Sequence, residues 1–291
     1  MDELESGVVH GEPKDMKPAI GVDVGATLAK LAIRDEGGAL HFESLPAREI
    51  DRVGDRVADF NPIRVGLTGG GASSLSERFA GISALQNEFE SWGKGARHLL
   101  DAENLLKESR NLLVSLGTGT SVLLMDGDAT HRVGGTALGG GTVLGLSSAL
   151  LGTTDFDEIC ALAARGDRTE VDLVVEDVYP AGENPLAGKA TASAFAKLAS
   201  GIAGPGGKDP ENLAAAIVGL VAENVGLICG GLSYASQVQE IVFAGSTLRD
   251  NPLVRNILSL VTTAMGRTPV FLPHAEFGGA LGAVLLSDSN H

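Results

Sequence analysis

Two stretches of the chain, "AIGVDVGATLAKLAI" (Ala19 to Ile33) and "NLLVSLGTGTSVLLM" (Asn111 to Met125), repeat one plan: an apolar strand, a small-residue turn and a second apolar strand. Each is followed by a third strand-like run, "ALHFESLP" and "ATHRVGGT". Three-stranded meanders are common and two can arise by chance. A meander recurring with a glycine turn at the same place instead points to internal duplication, with two similar lobes facing across a cleft. Such a cleft is where a ligand would bind.

The first copy contains an oddity. Asp23 sits inside a run that otherwise reads as buried, and an unpartnered carboxylate there costs several kcal/mol, so it belongs at a strand end beside something cationic or hydrogen-bonding. Gly25 allows a tight reversal with uncovered amides, Thr27 adds a hydroxyl and Lys30 a positive charge. Asp, free amides and Lys together suit a polyphosphate carrying Mg²⁺. A hairpin with a turn aspartate and an edge lysine is the plainer reading of the same residues.

With 291 residues, 44% hydrophobic, the chain can bury a large core, and its 40 glycines fit an α/β protein with many turns. A net charge of −15 argues against nucleic acid or an anionic membrane as partner, so any phosphate site must be local, built from amides, a metal and a few placed cations. No run is expected to reach the roughly 20 apolar residues that cross a bilayer. The acidic start lacks the apolar core of a signal peptide and is read as a disordered extension, residues 1–17. Residues 18–110 then form the first lobe and 111–291 the second. Cys160 and Cys229, both in apolar helical contexts, fit a reducing, cytoplasmic setting with no disulfide framework.

Further along, "IRVGLTGGG" reads as a strand, and "NEFESWGKGARHLLDAENLLKES" as a helix weakened by Gly93 and Gly95. "GGGTVLGLSSALLG" is a glycine turn entering a helix, a geometry that offers N-terminal amides to an anion or a base. The segment Pro180 to Gly207 holds the likeliest loops. "DPENLAAAIVGLVAENVGLICGGLSYA" opens with Asp209 as N-cap and stays apolar nearly all round, as a core or interface helix does. "QEIVFAGS", a helix from Asn251 to Met265, "TPVFL" and "FGGALGAVLLSD" complete the chain.

The motifs "DVGATLAK", "TGGG", "EFES", "GTGTS", "RVGGTALGGGTVLGL", "ARGDRTEVDLVVEDVY", "TASAF" and "FAGSTLRDN" occur in this order. Together they resemble the type II pantothenate kinases over roughly Ile20 to Leu286. The resemblance implies a duplicated actin-like (ribonuclease H-like) two-lobe ATPase fold, a homodimer, and ATP-dependent phosphorylation of pantothenate. It further implies that Asp23, Gly25, Ala26, Thr27 and Lys30 handle the metal and the ATP phosphates, Asp23 through water. Gly117, Thr118, Gly119, Gly139, Gly140, Gly141, Gly245 and Ser246 would complete the nucleotide pocket. Glu88 would be the catalytic base, Thr118 and Arg132 would hold the acceptor, and Thr191 would reach the partner subunit's substrate site; the Arg132 guanidinium could pair with the pantothenate carboxylate or act catalytically on charge developing on the transferred phosphoryl group.

The chain departs from that pattern at Ala26, where a glycine is usual, at Ala196, and at Phe156, where a tyrosine hydroxyl able to touch pantothenate is missing. Glu90 competes with Glu88 as base. On local grounds alone Glu88 is a first-turn helix glutamate favoured by the dipole, Arg132 and Lys30 are strand-end cations, Thr191 and Ser193 cap a helix, and Trp92 is a packing residue. Two other functions fit the same residues: a kinase of this fold for pantetheine or an amino sugar, and a catalytically weak nucleotide-binding module that regulates a partner.

Overall fold

The computed structural model describes residues 18–105, 107–179, 188–202 and 204–289. The expected N-terminal extension, and 180–187 of the expected loop segment, lie outside the described residues. The first sheet opens with an antiparallel meander of β1 (Ala19–Val24), β2 (Leu28–Arg34) and β3 (Leu40–Pro46). After α1 (Ile50–Asp59), β4 (Arg64–Thr68) joins β1 in parallel. A short α2 (Ser73–Ser76) leads to β5 (Ser83–Leu85), parallel to β4, and then α3 (Glu88–Ala102).

The second sheet repeats this plan. Its meander is β6 (Arg110–Leu116), β7 (Thr120–Asp126) and β8 (Ala129–Thr136), followed by α4 (Gly140–Leu151) and α5 (Phe156–Ala163). A small pair, β9 (Leu173–Val174) and β10 (Thr191–Ser193), brackets α6 (Val175–Val178). Then come α7 (Ala196–Ser200), the long α8 (Pro210–Ala235), β11 (Glu240–Ala244), α9 (Pro252–Ala264), β12 (Thr268–Phe271) and α10 (Gly278–Ser289). The sheet orders are β3-β2-β1-β4-β5 and β8-β7-β6-β11-β12, so the duplication read from sequence is repeated in the topology.

Side-chain alternation explains Asp23. On β1, Ile20, Val22 and Val24 face outward into a core shared with Val53 and Val57 of α1, whereas Ala19, Gly21 and Asp23 face inward. The inner face is lined by small residues because α10 lies directly on it: a Cβ on Gly21 would fall 1.8 Å from the Ala280 carbonyl oxygen, and one on Gly66 of β4 2.1 Å from that of Ala283. Helix α10 is therefore late sequence packed on the early sheet, so that sheet is covered by residues from the other end of the chain.

Helices α3 and α10 cross just as closely between the sheets. A Cβ on Gly95 would fall 1.9 Å from the Gly278 carbonyl oxygen, and one on Gly282 1.7 Å from that of Ser91. The glycines that weaken α3 by propensity are thus the condition for its packing, and the helix runs unbroken through Gly93 and Gly95. Strand β5, "SAL", has no sequence signature of its own and was not foreseen. Helix α8 also corrects an expectation: with mean hydropathy 1.9 it is long and apolar enough to cross a bilayer by length and composition. Here 72% of that stretch is buried, against α9, α5 and α4. Its expected N-cap, Asp209, occupies the cap position without a side-chain cap bond.

Candidate active site

The β1–β2 and β6–β7 turns meet at the mouth of a cleft of about 560 Å³. The Thr27 and Thr118 hydroxyls are 3.1 Å apart. Within the turns, the Gly25 amide donates to the Leu28 carbonyl and the Gly117 amide to that of Gly119. The amides of Ala26, Thr27, Thr118 and Gly119 have no acceptor among the described residues, which leaves each turn a pair of donors for an anion. The helix that follows offers less than its sequence promised. Gly140 and Gly141 donate their amides to the Gly117 and Thr118 carbonyls at 2.8 and 2.9 Å, so the start of α4 braces the second turn.

Asp23 lies at the floor of the cleft and is 4% exposed. Burial pushes its carboxyl above the ordinary range, against the opposing pull of Lys30. Lys30 pairs with Asp23 in the β1–β2 register and is itself buried, with its ammonium 3.4 Å from where a Cβ on Gly25 would stand. Glu88 is the first residue of α3, placed by its N-cap Asn87, whose side chain accepts from the Phe89 and Glu90 amides. Its carboxylate lines the cleft and stays open to solvent, yet the surrounding protein raises its pKa, Asp23 raises it further, and Lys30 opposes both. Glu90 does not line the cleft.

Arg132, on β8, also lines the cleft, reaches toward Gly135, and has no carboxylate within ion-pair distance among the described residues. Two cations so placed beside two sets of free amides make a site for an anion inside a strongly acidic protein. The cleft also brings together residues that sequence reading did not assign to it: Trp92, Ser115, Thr120, Ser121, Leu144, Thr154, Thr247 and Arg249. Phe156 lines it as well.

Of the expected site residues, Asp23, Gly25, Ala26, Thr27, Lys30, Glu88, Gly117, Thr118, Gly119, Arg132, Gly140, Gly141 and Ser246 line the cleft. Gly139 and Gly245 stand just behind it. At Gly245, φ is 103° and a Cβ would fall 2.2 Å from the Leu116 carbonyl oxygen, so glycine is required to present Ser246. Thr191 is elsewhere, on β10, where its hydroxyl accepts from Arg168 at 2.8 Å and donates to Glu223 at 3.1 Å. It caps no helix.

No three His, Cys, Asp or Glu side chains converge on a metal-sized point among the described residues. The donor set fits a different arrangement, a hydrated Mg²⁺ taken by one carboxylate and by phosphate oxygens. Glycine at two neighbouring positions is what admits that carboxylate to the cleft floor, since a Cβ on Gly69 or Gly279 would come within 2.6 Å of one or the other Asp23 oxygen.

Residues 27–286 match the Fumble family model. A type II pantothenate kinase of Bacillus cereus (strain G9842) is 33% identical over 274 residues, covering 93% of this chain and 98% of that protein. One from Oceanobacillus iheyensis is 31% identical over 273 residues, covering 92% and 99%. Among solved structures, the activator of the 2-hydroxyisocaproyl-CoA dehydratase from Clostridium difficile with bound ADPNP superposes with TM-score 0.62 at 15% identity, covering 94% of each chain. A ROK family glucokinase from Streptomyces griseus in complex with glucose and AMPPNP gives 0.61 at 13%, covering 94% of this chain and 100% of that one. Those two likenesses establish the actin-like ATPase fold, and the end-to-end sequence match goes further: the chain belongs to the type II pantothenate kinase family.

Proposed function

We propose that the chain transfers the γ-phosphoryl group of ATP to the primary alcohol of pantothenate, giving 4'-phosphopantothenate, the first step of coenzyme A biosynthesis. The observation that supports this most is the convergence of Glu88, Asp23, Lys30 and Arg132 with two amide-bearing turns in one cleft. Phosphoryl transfer needs little more than positioning, charge neutralisation and a proton acceptor. The free amides and hydroxyls of Thr27 and Thr118 bind phosphate oxygens, and Lys30 balances their charge. Arg132 fixes the acceptor through a bidentate contact with its carboxylate. Glu88 takes the proton from the acceptor hydroxyl, and its raised pKa brings it nearer the working pH than an ordinary carboxylate. Asp23 would hold Mg²⁺ through water, and the ion would supply charge neutralisation on the phosphates.

We also propose a homodimer formed along α8. Leu227 and Tyr234, both more than half exposed, lie on one face of that helix, and Leu260 of α9, 67% exposed, extends the apolar area. Thr191 would then serve the partner's site, released from or acting through its bonds to Arg168 and Glu223. The buried, free thiols of Cys160 and Cys229 support a reducing, cytoplasmic setting, and the acidic charge supports the absence of nucleic-acid and membrane partners.

The test is ADP release by the purified protein with pantothenate, pantetheine and hexosamines as acceptors. Turnover on pantothenate that Arg132→Lys does not retain supports the reading. Preferred turnover on another acceptor, or nucleotide binding with no turnover, replaces it with one of the two alternatives.

A further inference from the structure

Helix α3 delivers more than Glu88 to the cleft. One turn further along, at the i+4 position on the same face, stands Trp92, which is 5% exposed and lines the cleft. Two glycines of α10 fix how its ring lies. A Cβ on Gly278 would fall 2.8 Å from Cζ3 and 2.9 Å from Cε3, so the six-membered ring is pressed against that backbone. A Cβ on Gly279 would fall 3.0 Å from the indole Nε1 and 2.6 Å from Asp23 Oδ2. The five-membered ring therefore brings its N–H beside the carboxylate at the cleft floor.

A buried indole N–H ordinarily has an acceptor. This one has none among the described residues, and Asp23 accepts no hydrogen bond among them either. Lys30 faces Asp23 in the strand register and acts on it by charge alone. Nε1 and Oδ2 thus flank one point within hydrogen-bond reach of both without bonding directly, a spacing that one shared water satisfies. Such a water accepts from Nε1 and donates to Oδ2. The other oxygen, Oδ1, faces Gly69 and takes no part in the bridge.

We propose that Trp92 is a positioning residue for the metal site: its indole N–H, through one water, holds Oδ2 of Asp23 and leaves Oδ1 presented to hydrated Mg²⁺. The inference rests on the kinase reading above, which gives Asp23 to that ion. A donor behind an ion-binding carboxylate fixes the plane of the carboxylate and tightens the site. Packing accounts for the Trp92 ring, and this role accounts for its N–H.

Trp92 is the single tryptophan of the chain, so its emission reports this site alone. Adding Mg²⁺ to the full chain, preloaded with a non-hydrolysable ATP analogue, should change that emission saturably. Trp92→Phe keeps an aromatic ring and removes the N–H. By calorimetry it should raise the free Mg²⁺ needed for half-saturation about 10-fold, and leave analogue binding in EDTA and the pantothenate KM within about twofold. Biosynthetic replacement of the tryptophan by benzothienylalanine keeps the bicyclic outline without the N–H and should weaken Mg²⁺ to the same extent, which separates the lost donor from lost packing. Unchanged Mg²⁺ affinity in the benzothienylalanine protein would overturn the proposal, as would parent emission indifferent to Mg²⁺. A raised pantothenate KM with unchanged Mg²⁺ affinity would overturn it by giving the N–H to the acceptor. Mg²⁺ binding that depends on Trp92, with no pantothenate turnover by the parent, would sink the kinase reading and leave the role of Trp92 in place.

Discussion

Thr27 and Thr118, 91 residues apart in sequence, meet hydroxyl to hydroxyl at 3.1 Å, each on the glycine turn of its own copy of the duplicated meander. The contact is the point where the two halves close on the cleft. Both hydroxyls are exposed there, beside four amides that have no acceptor among the described residues.

If both threonines serve one phosphate, Thr27→Val and Thr118→Val should each lower kcat/KM for ATP by roughly 10- to 100-fold, the value of a hydrogen bond to a charged group. Because the two touch, the double variant should lose less than the product of the single losses. Steady-state kinetics on the four proteins gives the cycle. Strictly multiplicative losses would mean that the turns act on separate groups.

Glu88→Gln keeps the shape of the side chain and removes its proton acceptor. The expected fall in kcat is about 10²–10⁴-fold, with ATP binding and the melting temperature nearly unchanged. Glu90, which does not line the cleft, should tolerate the same change with a mild effect. The opposite ranking would assign the base to the wrong glutamate.

The acid limb of the kcat profile follows from the charges around Glu88. Burial and Asp23 raise its pKa, so activity should fall away above the ordinary carboxylate range as pH drops and the base is protonated. Lys30 opposes that rise. Lys30→Met removes the opposing charge and should move the limb to higher pH, whatever it does to the maximal rate. A limb that stays put, or moves lower, would show that another group controls the profile.

The meander repeat, the two turns and the interrupting aspartate were legible in the sequence because each rests on local rules: alternation in strands, backbone freedom at glycine, and the cost of burying a carboxylate. Arg249, Leu144 and Thr247 were not, because they come from separate elements and converge only after β11 has inserted beside β6. Gly93 and Gly95 read as helix-weakening since propensity is local, while the carbonyl that Gly95 accommodates belongs to Gly278, at the far end of the chain. The same is true of α4: its first amides looked free until the β6–β7 turn supplied the acceptors.

That close crossing makes a stability prediction. Gly282→Ala places a methyl group 1.7 Å from the Ser91 carbonyl oxygen, a backbone atom that cannot swing aside. The helices must separate, at about 1–3 kcal/mol or more. Gly145→Ala, where an added Cβ meets nothing within 4 Å, is the matched control and should be neutral or slightly stabilising. Urea midpoints of the two variants compare them directly, and equal midpoints would mean that the crossing is not tight.

The same helix is pinned at its other end. Asp288, in the last turn of α10, accepts two bonds from Arg34 of β2 and one from Arg64 of β4, the latter at 2.9 Å. Arg34 is 6% exposed, so the carboxylate compensates a buried charge. Burial alone would raise the Asp288 pKa, but the bonds and charges of the two arginines outweigh it, and the carboxyl is held below its ordinary value. A lowered folded pKa means stability that is fully present above the unfolded value, near 3.9, and is lost as pH falls through the folded one. Asp288→Asn should therefore lower stability by about 1–3 kcal/mol at neutral pH, less than the full loss for a sealed pair because the carboxylate is 31% exposed. The difference should shrink as both proteins are taken below pH 4, where the parent's own carboxylate is progressively protonated. Urea titrations at pH 7 and pH 3 measure the two gaps. A gap that stays constant between them would mean that Asp288 holds the helix by shape and hydrogen bonding, not by charge.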